Sequence, residues 1–318
     1  MAPLSPRPVR SACRRGGWWV VPSRAVLTLL LAAPLRAETG AQRFLADTLD
    51  TRAGWDLEVD AGFDASAAAS SAGAVTRSLS QQSGSVSAVR SFGLGPGLAL
   101  DGGVRGSFVD LGGGPAVGLP AHLESDGLVL GASWKPATEW GISFQALPAF
   151  SGEPGSLSSR TLNVSGALSG LWLINERLLV QAGVEFDSLG RYTLYPEGGV
   201  IYDLTAALSL RLLFPQPRMV YQMTPAWAVY AGADVEVVSD RVGPTFGSSR
   251  GVPPLNNAVL SLEETEFGPG TSYRWGEAVY LEVNFGWVTE RKDDYFRAAK
   301  SLTLRPAAAL RLSVEMTF

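Results

Sequence analysis

Apolar and polar residues alternate with a period of two along most of the chain. Between Trp55 and Phe63 every odd position is apolar, whereas the even positions include Asp56, Glu58 and Asp60. Strict alternation predicts a β-strand with one apolar and one polar face. No stretch shows a sustained period of 3.6 residues, so the pattern predicts an all-β protein.

The alternating segments are ~9–14 residues long, which exceeds the usual strand of a soluble protein. Alternating segments of about ten residues, separated by turns, are typical of an antiparallel transmembrane β-barrel. Fourteen strands are predicted, at 55–64, 84–92, 97–109, 126–134, 139–150, 160–174, 177–189, 195–202, 207–214, 218–223, 227–238, 259–273, 278–288 and 306–318. If the short pair 207–214 and 218–223 does not span the membrane, the barrel has twelve strands.

The connections between these segments alternate in length. Tight turns are predicted at 95–97, 135–137, 175–176, 203–206, 224–226 and 274–276. Longer links are predicted at 65–83, 110–125, 151–159, 189–196, 239–257 and 289–305. Short periplasmic turns and long extracellular loops distinguish the two ends of an outer-membrane barrel, so both termini are expected on the periplasmic side.

The N-terminus has the features of an export signal. Residues 1–37 contain six arginines and no acid, and the apolar run Ala25–Leu35 is followed by Ala37. A basic segment, a short apolar run and a small residue at the cleavage site are typical of a secretory signal peptide. The run is too short for a transmembrane helix. The predicted organisation is a cleaved signal peptide at 1–37, a periplasmic N-terminal segment at 38–54 and the barrel at 55–318.

Composition narrows the function classes further. Only 18% of the residues are charged, and the chain contains one Cys and one His. This composition argues against a disulfide framework or a thiolate or zinc site, and neither a metal nor a cofactor is expected. Thirty acids face 26 bases, of which six precede the predicted cleavage site. An acidic mature chain does not suit nucleic-acid binding.

Two groups of apolar side chains predict contacts made by the barrel exterior. Large aromatic residues beside the tight turns are expected to form a girdle at the lipid headgroups. These residues are Trp134, Trp140, Trp172, Tyr202, Tyr221, Trp227, Tyr273 and Trp275. The final strand ends in an alternating apolar series that resembles the signal read by the barrel assembly machinery. This series is Leu310, Leu312, Val314, Met316 and Phe318.

One part of the chain carries a family resemblance. The stretch Phe214-Pro215-Gln216-Pro217-Arg218, then Tyr221, then Tyr230-Ala231-Gly232-Ala233-Asp234, resembles an uncharacterised family of bacterial outer-membrane β-barrel proteins that share a domain of unknown function. The likeness is strongest over 196–236 and extends loosely from Trp55 to Phe318. An Ala/Ser-rich stretch at 65–72 departs from it. The resemblance implies a barrel in the outer membrane and implies no catalytic residues.

Few residues offer chemistry for catalysis or metal binding. His122 lies in a predicted loop near Glu124, where adjacent loop residues rarely converge on a substrate, so no enzyme activity is expected. Glu263, Glu264 and Glu266 could bind calcium, but carboxylates at these spacings on a strand do not share one face. A solvated strand end is the favoured interpretation of that group.

The polar strand faces are expected to line the barrel lumen. The predicted lumen acids are Asp56, Glu58, Asp60, Asp64, Asp101, Glu139, Glu185, Asp187, Asp234, Glu236, Glu282 and Glu315; the predicted lumen bases are Arg105, Arg211 and Arg311. An acidic lumen attracts cations, and a barrel of about fourteen strands is narrower than the porins.

Three function classes follow from this arrangement. A narrow cation-preferring pore or small-solute channel is one hypothesis. A non-conducting structural or surface-interaction barrel is another, because lumen charges can pair and close the interior. A soluble periplasmic β-sandwich is the third, and the strand lengths and Phe318 argue against it. The expected partners are outer-membrane lipid, the assembly machinery and a small solute or ion.

Overall fold

The computed structural model describes residues 40–49, 53–71, 74–156, 158–276, 278–295, 298 and 300–318. The predicted signal peptide at 1–37 lies outside these residues. Among the described residues, no helix is both long enough and apolar enough to cross a membrane.

Strands account for most of the described chain. They are β1 Gly54–Ser71, β2 Ala74–Gly95, β3 Leu98–Gly112, β4 His122–Trp134, β5 Trp140–Gly152, β6 Leu162–Asn175, β7 Leu178–Asp187, β8 Leu194–Asp203, β9 Leu208–Phe214, β10 Arg218–Gln222, β11 Trp227–Arg241, β12 Val259–Trp275, β13 Val279–Tyr295, β14 Lys300–Leu304 and β15 Ala307–Thr317. The helices are α1 Gly40–Thr48 and α2 Gly114–Val117, and 3-10 turns lie at Ser159–Thr161, Ser248–Arg250 and Pro253–Leu255.

The strands form one closed antiparallel barrel. Each strand from β1 to β13 pairs with its sequence neighbour, and β15 pairs with both β13 and β1. Strand β14 pairs with the same two partners above β15. The two segments therefore occupy one position, interrupted at Arg305-Pro306, and the described wall has fourteen positions. The predicted fold class is confirmed, and the short pair β9 and β10 belongs to the wall.

Several predicted loops are strand instead. Strands β1 and β2 continue through most of 65–83, and β13 and β14 cover most of 289–305. These extensions rise above the lipid-facing part of the wall, where the outer face need not be apolar. They keep the backbone ladder without the apolar alternation that marks a strand in the sequence.

The two faces of the wall differ in character. Large apolar side chains that alternate along the strands are exposed on the outside, among them Phe63, Val86, Leu130, Leu168 and Phe285. Such an exterior is expected where lipid replaces water as the solvent. All eight predicted girdle aromatics are exposed beside the tight turns, and Trp134 packs edge-to-face on Trp140 with ring centroids 5.5 Å apart.

A hydrophobic core lies at the extracellular end of the barrel. It brings together side chains from the tops of β1–β4 and β12–β14, from α2, and from the link between β11 and β12. Its fully buried members include Leu79, Leu119, Leu255, Leu260 and Tyr295. The end of β11 bends across the opening, and Arg241 pairs in parallel with Gly152 at the top of β5. We call this assembly the extracellular cap.

Candidate functional site in the barrel lumen

A polar cavity of about 850 Å³ occupies the middle of the barrel. Its lining includes twelve carboxylates and three arginines. The carboxylates are Glu58, Asp60, Glu124, Glu185, Asp187, Asp234, Glu236, Asp240, Glu264, Glu266, Glu282 and Glu315, and the arginines are Arg105, Arg218 and Arg311. Acids therefore greatly outnumber bases around this space.

One side of the cavity carries acids that form no direct ion pair with a described residue. Glu58 of β1 lies directly opposite Glu315 of β15 in the antiparallel register. Asp60 accepts a hydrogen bond from Ser85 Oγ at 2.7 Å, and Arg105 Nη2 donates to the same hydroxyl at 3.3 Å. Like charges directly opposite each other destabilise a strand pair, so this arrangement is costly unless cations screen it.

On another side, two tyrosines and an arginine converge on one carboxylate. Glu282 Oε1 accepts hydrogen bonds from Tyr230 Oη at 2.6 Å and from Arg218 Nη1 at 2.8 Å, and Tyr280 Oη donates to Oε2 at 2.7 Å. The Arg218 guanidinium also lies 4.6 Å from the centre of the Tyr230 ring, a cation–π distance. These contacts neutralise Glu282 and fix its orientation.

An ion-pair network separates the cavity from the extracellular cap. Arg311 pairs with Asp64, Glu264 and Glu266, and all three carboxylates are buried. The interpretation of Glu264 and Glu266 as a solvated strand end is wrong. The two residues are two positions apart on β12, so both side chains point inward, where Arg311 of β15 compensates their charge. No group of three or more His, Cys, Asp or Glu in the described chain is arranged to hold a metal ion.

The remaining predicted lumen residues lie nearer the periplasmic end. Thr317 Oγ1 donates to Asp56 at 2.8 Å, and Ser91 Oγ donates to Asp101 at 2.6 Å. Arg211 lies on the inner face of β9. Glu139 is exposed in the bend before β5 and does not belong to a wall strand.

Helix α1 lies in the periplasmic mouth of the lumen. Its buried side chains Ala41 and Leu45, followed by Leu49, pack on an apolar patch formed by inner-face residues of β6 to β9. We call this surface, comprising Leu171, Leu173, Leu179, Ile201 and Leu213, the mouth patch.

Polar contacts fix the ends of α1. The Ala41 amide donates to Asp203 Oδ2 at 2.9 Å, and Asp47 pairs with Arg274 of β12 at 3.1 Å. The Arg211 guanidinium lies 5.9 Å from the centre of the Phe44 ring. The helix thereby connects opposite sides of the mouth.

The sequence pattern did not reveal α1 or the mouth patch. The helix is only nine residues long, too short for a clear helical period. The patch breaks the expected rule that inner-face positions are polar, as at Leu179 and Ile201. Arg218, Asp240, Glu264 and Glu266 were also missed as lining residues. Arg218 and Asp240 lie at strand ends whose inner face was not assigned, and Glu264 and Glu266 were interpreted as a solvated group together with Glu263.

His122 lies at the start of β4 rather than in a loop. Its Nδ1 lies within hydrogen-bond distance of Asp110 Oδ1, and its ring stacks on Phe108 with centroids 6.1 Å apart. Both contacts hold the imidazole within the strand wall, which gives His122 a structural environment.

Comparison with known proteins yields similarities of architecture. No family model matches the chain, and no curated protein matches it in sequence. Among solved structures, an outer-membrane channel from Pseudomonas putida F1 has 13% identity and a TM-score of 0.46, with 84% of this chain and 96% of that chain covered.

Two further solved barrels show comparable likeness. The KdgM porin in complex with disordered oligogalacturonate has 9% identity and a TM-score of 0.37, covering 82% of this chain and 99% of that chain. A mutant of the TodX monoaromatic hydrocarbon channel has 10% identity and a TM-score of 0.40, and the match covers 84% of this chain and 90% of that chain. At these identities the likeness assigns no substrate to this chain.

The architecture itself identifies the membrane. Only helices and closed barrels satisfy every backbone polar group within lipid. A closed antiparallel wall with an apolar exterior is the structure of bacterial outer-membrane proteins, and this chain is an outer-membrane β-barrel.

Proposed function

We propose that this chain is an outer-membrane channel whose acidic lumen admits small cationic solutes. The observation that carries the proposal is the imbalance of twelve carboxylates against three arginines around one cavity. The opposed pair Glu58 and Glu315 strengthens it, because a purely structural interior would be more stable with these charges paired or removed.

In this proposal, α1 controls access from the periplasm. The helix rests on the mouth patch and closes the periplasmic end while it is docked. The channel conducts when α1 leaves the mouth. The resemblance of the 196–236 region to an uncharacterised outer-membrane barrel family agrees with this proposal but adds no substrate.

The proposal is tested by conductance of the folded protein in planar bilayers with a salt gradient. We expect discrete steps whose reversal potential has the sign of cation preference, and more frequent openings after Leu45→Ala, which weakens α1 docking. Silence from both inserted proteins, or anion preference, would contradict the proposal.

Charge neutralisation then tests which residues set selectivity. The triple variant Glu58→Gln, Asp60→Asn, Glu185→Gln should lower the cation-to-anion permeability ratio by roughly threefold or more, because it removes three charges from the cavity wall. The matched control neutralises three exposed acids that do not line the cavity, Glu139, Glu176 and Glu290, and should leave the ratio unchanged. Equal ratios in both variants would refute the lumen assignment.

A non-conducting surface-interaction barrel is the second candidate. The extracellular cap favours this candidate, because its buried hydrophobic core holds the links between strands in a fixed arrangement on the extracellular side. Under this alternative, the bilayer stays silent even after Leu45→Ala.

A further inference from the structure

The barrel wall is shorter at the β9–β10 hairpin than at the neighbouring strands, on its extracellular side. Strand β9 has seven residues and β10 has five, whereas a tilted strand needs about 9–11 to cross the hydrocarbon. Seven residues at ~3.3 Å each, tilted by ~40°, reach only about 18 Å, against an apolar band of about 25 Å. The hairpin tip, Phe214–Pro217, therefore ends within the height of the membrane.

The strands on either side rise above this tip. Pairing of β8 with β9 ends at Gly198 and Phe214, so 194–197 extends beyond it. On β11, the Ala233 and Val235 amides donate to the carbonyls of Pro217 and Pro215 at 2.9 and 3.2 Å.

Above these bonds, β11 continues through residues 236–240, which pair only with β12 among the strands on its two sides. We call the space between 194–197, the hairpin tip and 236–240 the wall notch.

Prolines border the wall notch on two sides. Pro196 lies in the extended part of β8, and Pro215 and Pro217 form the tip. Proline offers no N–H to a neighbouring strand and is confined to strand edges. None of the three prolines can donate a backbone hydrogen bond to a further strand across the wall notch, so the sequence disfavours its closure by added pairing.

The inner side of the wall notch is polar and acidic. The central cavity is lined by the tip residues Phe214 to Gln216 and by the adjoining part of β11, including Asp234 and Glu236. Gln216 Nε2 donates to Asp234 Oδ2 at 3.0 Å. A polar group that enters through the wall notch thus meets carboxylates at once.

The outer side is apolar. A shallow groove of about 510 Å³ runs down the exterior beside the tip, lined by Pro217, 231–233 and 267–269. Small residues of β11 and the Phe267 ring form its walls, so it suits a hydrocarbon chain rather than a polar group. Polar and apolar binding surfaces therefore meet at one gap in the wall.

We propose that the wall notch is a lateral entrance for an amphiphile that has a cationic head group and a single apolar chain. This inference rests on the proposed function and specifies its substrate class. The head group reaches Asp234 and Glu236 in the lumen while the chain stays in the outer groove. The molecule enters from the outer leaflet, because the wall notch opens within the height of the membrane.

Photolabelling of the full chain in lipid nanodiscs tests this entrance without requiring conductance. The probe is a dodecylammonium carrying a diazirine in its chain, and the label is mapped by mass spectrometry. We expect labelling of the peptides containing 231–233 and 267–269 to exceed that of 130–134 on another part of the wall by about fivefold. Such a ratio corresponds to a preference of about 1 kcal/mol.

Two comparisons make the test specific. A neutral probe with the same chain should label the exterior evenly, because it lacks the attraction to the acidic lumen. Ala233→Trp should abolish the enrichment by filling the groove, whereas Ala146→Trp, at an outward-facing alanine of β5 outside the compared peptides, should preserve it. Heat-dependent migration on a denaturing gel confirms that each variant has folded as a barrel.

Three results would overturn the lateral entrance: even labelling by the cationic probe, equal enrichment with the neutral probe, or enrichment that survives Ala233→Trp. The proposed function fails separately, through silent or anion-selective bilayers. A cation-selective channel with even labelling would retain the proposed function and refute the entrance.

Discussion

Docking of α1 in the periplasmic mouth should depend on one leucine. Leu45 is 2% exposed and packs on the mouth patch, whose side chains come from several strands. Truncating a buried leucine to alanine costs about 2–5 kcal/mol. Because full burial of a leucine contributes only about 1.5–3 kcal/mol of transfer free energy, Leu45→Ala removes much of what holds this nine-residue helix.

The expected effect is a large rise in the undocked population. A loss of about 3 kcal/mol raises the undocked-to-docked ratio by roughly 100-fold, since each 1.4 kcal/mol is a factor of ten. Asp47→Asn is the matched control on the same helix. It weakens an exposed ion pair with Arg274, worth at most about 1 kcal/mol, and should change the ratio by about fivefold or less.

Thiol labelling measures that population directly. Ser209 is buried beneath α1, and its hydroxyl forms no hydrogen bond in the described structure, so Ser209→Cys is a mild reporter. With Cys13 replaced by serine, the reporter is the only thiol in the chain. Its labelling rate by a polar maleimide should follow the undocked fraction.

The outcome that refutes this reasoning is specific. If Leu45→Ala labels as slowly as the parent, while an exposed Thr224→Cys reporter labels rapidly in both, the mouth patch does not hold α1. An equal acceleration by Asp47→Asn would instead show that the ion pair, and not the apolar contact, dominates docking.

Three further perturbations test other parts of the structure. Leu179→Ala should undock α1 without altering it, because it removes a fully buried side chain from the mouth patch; the Ser209→Cys reporter should label faster, and an unchanged rate would contradict the packing. Arg311→Met should lower the free energy of unfolding by about 3–5 kcal/mol, measured by denaturant titration in lipid vesicles, because buried Glu264 loses its partner; a loss below about 1 kcal/mol would refute the network. Burial raises the pKa of Asp240, at the extracellular end of β11, to about 6 from 3.8. Because the folded protein binds this proton more tightly than the unfolded chain does, the free energy of unfolding should rise by up to about 3 kcal/mol as pH falls from 7 to 4. Asp240→Asn should lose this pH dependence when thermal unfolding is measured across that range.

The barrel architecture could be predicted from the sequence alone. Strand periodicity, the spacing of tight turns and the even strand count follow from the alternation of lipid-facing and inner residues, which every membrane-crossing strand must satisfy locally. Exterior residues such as Phe63 and Leu130 were therefore identifiable from the sequence, and so were inner acids such as Glu58 and Glu236.

The contacts at the two ends of the barrel became apparent only from the three-dimensional structure. The contacts of α1 with the mouth patch, of Arg311 with Glu264, and of the extracellular cap join segments that are distant in the chain. Periodicity reports only how a strand faces its immediate surroundings, so it cannot show which distant side chains meet across the lumen. The wall notch was partly predictable. Its prolines and short strands can be read from the sequence, but how far the neighbouring strands extend beyond the hairpin tip follows only from the strand register.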